Sequence, residues 1–249
     1  MSSPEIENIM EPYIKQMGLM WKVVSEFGET DRPQVVSVKQ AHEHRILMPN
    51  DYRGKLGKYR CDVVHELVHG KFAESLDPIF SGVYFDRGYD ERKPEIQVQM
   101  YRTYYAQQLV DVWVADRMRK LDRILNIEDI DTSMTGFLTL PDEFYIRNPL
   151  EILLGYALNQ AEITRGGFKG YDKRQKKVLH RVERVLGGED AKTAERLAHL
   201  YSTLPELPDN REEALSLFEK STQKAAEILG LPIQPKIVKS EEDNVWRFD

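Results

Sequence analysis

Cysteine occurs once in this 249-residue chain, at Cys61. No internal disulfide can form and no cysteine-based zinc site can be assembled from the chain alone, so a bound metal would rest on His, Asp or Glu. Long apolar runs are also missing: nowhere do about 18 apolar residues follow one another, the length a membrane helix needs. The opening "MSSPEIENIMEPY" carries acidic residues where a secretory signal has a positive segment and then an apolar one. The expectation is a cytoplasmic protein with no membrane partner. Positive charge is not in excess either. The net charge is -6 and the pI about 5.6, which argues against broad, salt-dependent binding to nucleic acid. What is present is 41% hydrophobic and 31% charged residues, with 10% aromatic, the composition of a globular chain. The length predicts one compact unit or a core with an appended lobe, and leaves the oligomeric state open.

Periodicity divides the chain. Apolar residues Ile6, Ile9, Met10, Tyr13, Ile14, Met17 and Met20 recur near helical spacing, which predicts one or two amphipathic helices from Pro4 to about Phe27. Val35, Val36, Val38 and then Ile46 to Met48 favour β structure and predict two short strands closed by a turn at "PNDYRG". A helix is expected from about Lys55 to Phe72, with Gly70 marking its end, followed by a third short strand at Val83 to Phe85. After Pro94 the chain can run without a breaker as one long helix. "TSMTGFLTLPDEF" has the composition of a loop or short strand. Four more helices are expected at Pro149 to Thr164, Tyr171 to Leu186, Glu189 to Leu204 and Asn210 to Leu229. The last residues read as a polar tail with aromatic Trp246 and Phe248. The implied class is α+β and mostly helical, in three parts: a core with an N-terminal helix over 1–130, a helical lobe over 131–232 and a tail over 233–249.

The chemistry concentrates in "YRCDVVHELVHGKF", Tyr59 to Phe72. On a helix His65 and His69 stand one turn apart, only about 40° around the axis, so both imidazoles can reach one ion. Glu66 leaves that helix about 100° from His65, beside the ion's open position, where it can take a proton from bound water. Zinc lowers the pKa of its water from about 15.7 to about 7 and also polarises a carbonyl, a combination suited to amide hydrolysis. The same residues could be core histidines bonded to the backbone, with Glu66 on a solvated face. The apolar flanks "CDVV" and "LV" bury this helix, however, so its polar groups need an ion or dedicated partners.

"HELVH" on an apolar helix, preceded by the strand-like "HRILMPN", resembles the zincin class of metallopeptidases over about residues 34 to 120. The resemblance implies a small sheet packed on the motif helix and on a long second helix, a zinc cofactor, and a peptide or protein substrate. The metzincin extension is absent, since Phe72 and Ser75 stand where its glycine and third histidine would be. The long helix carries "QQLVDVWVADRM", whose "VAD" is similar to the E-x-x-A-D pattern of gluzincins, where the Glu is a ligand and the Asp supports a histidine. Val112 stands where that Glu would. Asp111 is the nearest replacement, an acid between two valines whose charge zinc would balance. Five residues turn a straight helix by roughly 140°, so Asp111 and Asp116 cannot both face the ion equally. Asp111 is the favoured third ligand and Asp116 its rival, with Glu74 and Glu95 behind them; Asp116 could instead pair with Arg119 or Lys120.

Other features are weaker. His42 and His44 alternate on the expected strand and read as a polar strand edge. Tyr101, Tyr104 and Tyr105 precede Asp111 on its helix and could supply a donor to a developing oxyanion, although core packing explains them as well. "RQKKVLHRVER", Arg174 to Arg184, is a basic helix face whose default reading is a solvated surface. The expected function is a zinc-dependent metalloendopeptidase with Glu66 as general base. The alternative is a zincin fold without peptidase activity that serves as a regulatory or protein-binding module.

Overall fold

Helix α1 spans Pro4–Met17 and buries Ile6, Met10, Tyr13 and Met17 along one stripe. The computed structural model describes residues 4–30, 32–55, 59–81, 94–230, 237–239 and 246–248; over 94–107 and the last two strands only the backbone path is described. Helix α1 stops at Gly18, whose φ of +61° suits a residue without a Cβ. The chain then extends as strand β1, Lys22–Gly28, so the helix expected as far as Phe27 is overturned in its second half. Met20, counted with the helical stripe, is 83% exposed and belongs to the turn between them.

Strands β2, Gln34–Val38, and β3, Glu43–Pro49, form where two strands were expected. Strand β3 is central, parallel to β1 and antiparallel to β2. Val35 lies opposite Ile46 and Ser37 opposite His44, all four buried on the same face. The polar edge expected at His42 and His44 is therefore wrong. His42 precedes β3 in the left-handed region, with φ of 47°, and His44 is 1% exposed in the middle strand. Its ring is tolerated there because Nδ1 pairs with Ser37 Oγ at 2.8 Å and Nε2 with Glu74 Oε2 at 3.4 Å.

Helix α2, Arg60–Ser75, lies on that buried face and runs through Gly70 instead of ending there. A Cβ on Gly70 would stand 3.3 Å from the His44 ring, so the glycine serves close approach of helix to strand. A short 3-10 turn at Pro78–Ser81 follows. Helix α3, Pro94–Leu121, is the long helix expected after Pro94. The strand expected at Val83 to Phe85 lies outside the described residues, as do the side chains of Glu95, Tyr101, Tyr104 and Tyr105.

Asp122 caps helix α4, Arg123–Thr139, by accepting from the Ile124 N–H at 3.0 Å. With α5, Asp142–Arg147, this helix takes up most of "TSMTGFLTLPDEF", which was expected to be loop or strand. Burial of Met134 and Phe137 outweighs the weak helix propensity of its Ser, Thr and Gly. The four later helices appear close to their expected bounds: α6 Pro149–Gly166, α7 Asp172–Leu186, α8 Gly188–Ser202 and α9 Arg211–Ile228. Arginines of the basic face on α7 are partly consumed in packing. Arg174 pairs with Asp131 at 2.6 Å, and Arg181 with Asp142 at 2.8 Å and the Phe137 carbonyl at 3.0 Å. In the expected tail, strands β4, Ile237–Lys239, and β5, Trp246–Phe248, pair antiparallel, with β5 beside α3.

The architecture is thus α+β and mostly helical, with a small mixed sheet. One apolar cluster extends from Ile6 to Ala226, and α2, α3, α4 and α6 meet within it. Each fully buried Leu, Phe or Met there contributes about 1.5–3 kcal/mol, enough to hold polar groups in place between these helices. Among the described residues no helix is long and apolar enough to cross a membrane.

Candidate metal centre

Where α2 meets α3, three side chains converge. His69 Nε2 lies 3.0 Å from Asp111 Oδ1 and 3.1 Å from His65 Nε2, and His65 Nε2 lies 3.3 Å from the same carboxylate oxygen. Among the described residues this is the one group of three potential donors that close together. With metal–ligand bonds of about 2.0–2.1 Å, the corners of a tetrahedron stand about 3.3 Å apart. The observed separations match one face of such a tetrahedron, so the three residues fit a zinc-sized ion.

The surroundings prepare His69 for that role. Its Nδ1–H donates to the Phe80 carbonyl at 2.7 Å, which turns the Nε2 lone pair toward Asp111. Phe80 sits on the 3-10 turn after α2, where Asp77 Oδ1 accepts from the Ile79 N–H at 3.2 Å. Asp77 is 2% exposed, and its other oxygen accepts from Arg211 Nε on α9 at 2.9 Å. The Phe80 ring packs between Phe72 and Phe218.

Burial raises the Asp111 carboxyl, but hydrogen bonds from His65 and His69 and their charge outweigh it and hold the group well below the usual carboxylate range. Burial would lower His65; the Asp111 hydrogen bond and the charges of Asp111, Glu66 and Asp129 prevail and raise it to about 10. A positive charge is thus favoured between these groups, and either a proton or a bound cation supplies it. Burial pushes the Glu66 carboxyl up, against the opposing charges of His69 and His65. Glu66 makes no hydrogen bond to a described residue, which leaves it free to exchange protons.

The rival third ligand is engaged elsewhere. Arg165 Nε donates to both Asp116 oxygens at 3.1 Å, and Arg119 Nη2 donates to Oδ1 at 2.8 Å. Arg165 also reaches the Leu204 carbonyl, so Asp116 anchors α3 to α6 and to the end of α8. Lys120 pairs instead with Glu206 at 3.0 Å. Glu74 accepts from the backbone N–H groups of Met20 and Trp21 at 2.9 and 2.8 Å, away from the triad.

Three further acids surround His65 and were not singled out from the sequence. Asp62 on α2 accepts from the Cys61 thiol at 3.4 Å, and burial raises its carboxyl. Asp129 on α4 and Glu162 on α6 are raised as well, first by burial and then by facing negative charge. The available signal was an Asn followed three residues later by an acid inside an apolar helical run, in "ILNIEDI" and again in "YALNQAEI". No family model matches the chain, and no curated protein or solved structure does either.

Proposed function

We propose that the chain is a zinc-dependent hydrolase of peptide bonds in which His65, His69 and Asp111 hold the ion and Glu66 is the general base. The observation that carries this reading is the set of donor separations, 3.0, 3.1 and 3.3 Å, beside a carboxyl that makes no hydrogen bond to a described residue. Bound zinc supplies an acidified water and an electrophile for the substrate carbonyl. Glu66 takes a proton from the attacking water and returns it to the departing amine, roles that suit a carboxyl whose pKa burial raises. Asp111 balances positive charge at the centre, and the Phe80 carbonyl keeps the His69 ring in one tautomer. The substrate class is peptide or protein.

Glu66→Gln tests the mechanism. Zinc content is expected to stay at the native level, while cleavage of an unbiased peptide mixture falls by about 10²–10⁴-fold. Undiminished cleavage contradicts the assignment of the base.

A second reading draws on access. The side chains of His69 and Asp111 are only 10% and 12% exposed, which suits a metal that organises a regulatory or protein-binding module. Stoichiometric zinc with no cleavage of any peptide in the mixture would select that reading.

A further inference from the structure

Helix α7 divides its cations by side-chain type. Its 15 residues carry six Lys or Arg against two acids, Asp172 and Glu183, in a chain whose net charge is -6. The arginines are engaged inside the fold: Arg174 pairs with Asp131 at 2.6 Å, and Arg181 and Arg184 share Asp142 at 2.8 and 3.1 Å. Lys173, Lys176 and Lys177 are exposed and make no ion pair or hydrogen bond with any described residue.

With 3.6 residues per turn, Lys173, Lys176, Lys177, His180 and Arg184 fall within about 100° of one another around the helix axis. They form one stripe about 16 Å long, opposite the fully buried Val178 and Val182. The two acids border the stripe on one side, with Glu183 3.8 Å from His180, and do not interrupt it. Lys176 and Lys177 stand three and four residues after Lys173, spacings at which like charges oppose helix formation. The fold neutralises the arginines of this helix and leaves that repulsion in place, a layout that suits an anion arriving from outside.

We propose that this stripe docks an acidic segment of a partner protein, an extended run with Asp or Glu at alternate positions. Alternate side chains of an extended chain recur about every 6.7 Å, so about five or six residues cover the stripe. Successive members Lys173, Lys177, His180 and Arg184 rise by about 6, 4.5 and 6 Å, and flexible lysine stems absorb the difference. A nucleic-acid strand asks for more than charge: aromatic faces for its bases and arginine forks for its phosphates. Helix α7 has no Phe, Tyr or Trp, its arginines are engaged, and past the stripe a long polyanion meets a chain of net negative charge. A membrane surface asks for apolar side chains beside the basic ones. The exposed large apolar residues among those described, Met20, Ile124 and Ile146, all lie on other elements. The proposal is independent of the metal centre and of its hydrolytic reading.

Fluorescence anisotropy of a labelled peptide of about ten residues, Glu alternating with Ser, tests this, with the Gln analogue as neutral control. Native protein is expected to bind the Glu peptide at least about tenfold more tightly than the Gln peptide at low salt, and to lose most of that preference by about 0.5 M salt. Combining Lys173→Gln, Lys176→Gln and Lys177→Gln is expected to weaken the Glu peptide at least about fivefold, while Arg at the same three positions keeps native affinity. Replacing Lys39, Lys220 and Lys224 by Gln, three exposed lysines on other elements, is expected to change little. Equal binding of the two peptides, no measurable binding of either, or an equal loss in the Lys39, Lys220 and Lys224 variant overturns the proposal. A loss that Arg does not prevent also overturns it, because the contact is then not one of charge. Single-stranded RNA or phosphatidylserine vesicles bound more tightly than the Glu peptide, through the same three lysines, overturn it in favour of that partner. The comparison of the two peptides on native protein needs no variant, so it decides the matter even if a substituted chain fails to fold.

Discussion

The Nδ1–H of His69 donates to the Phe80 carbonyl over 2.7 Å, and this one bond decides which ring nitrogen meets Asp111. The bond depends in turn on a turn pinned from a distance, because Asp77 beneath it is paired with Arg211 on α9.

Arg211→Ala should therefore act on the centre without touching it. Asp77 keeps its bond to the Ile79 N–H but loses its cation, and stability is expected to fall by about 1–3 kcal/mol. Zinc affinity, read by competition with a chelator, is expected to drop by about 10–100-fold as the Phe80 carbonyl loses its fixed position. Native affinity in the folded variant would show that the turn is held by its aromatic packing alone.

Asp116→Ala should do the reverse. Its partner Arg165 is 10% exposed at the side chain, so the variant strands a buried guanidinium and is expected to lose about 3–5 kcal/mol in denaturant melts. Zinc stoichiometry in whatever fraction is folded should not change. Loss of zinc from well-folded protein would reinstate Asp116 as a ligand.

The pairing of His44 with Ser37 and Glu74 predicts an acid limit. Burial lowers the His44 pKa, against the raising effect of Glu74, so the folded state takes up its proton less readily than the unfolded chain. Its contribution is complete above the unfolded value of about 6.5 and is lost as pH falls below it, with a slope of at most about 1.4 kcal/mol per pH unit. Stability of native protein minus that of His44→Gln, measured from pH 7.5 to 5, should decrease toward acid. The lowered pKa of Glu74, whose burial is outweighed by backbone hydrogen bonds from Trp21 and Met20, acts in the same direction but at lower pH. A flat difference would mean that folding leaves proton binding at His44 unchanged, and a rise toward acid would mean that His44 is protonated in the fold.

Much of this arrangement was legible in the sequence. Helical spacing alone places His65, Glu66 and His69, and the breaker-free run after Pro94 gives α3. The sequence favoured Asp111 over Asp116 for its two flanking valines but did not exclude the rival, because both are acids among apolar residues of one helix. Packing against α6 settles where each points: Arg165 takes Asp116, and the opposite turn of α3 brings Asp111 to the histidines. Gly70 misled for a related reason, since its role is contact with His44 on another element and not helix termination. Strand β1 was hidden because Met20 happens to continue the spacing of α1. Helix α4 was hidden by Ser, Thr and Gly, whose local preferences are overridden by burial of Met134 and Phe137. Asp129 and Glu162 passed unnoticed because a polar residue in an amphipathic helix looks solvated until its neighbour across the interface is known.

Zinc content by elemental analysis, on protein prepared without added metal, tests the central claim most directly. Native protein and Asp116→Asn, which keeps one acceptor oxygen, at the place of Oδ1, for both arginines, should each carry about one zinc per chain, and Asp111→Ala should carry much less. Native protein free of zinc, or Asp111→Ala with as much zinc as native, would contradict a centre built from His65, His69 and Asp111.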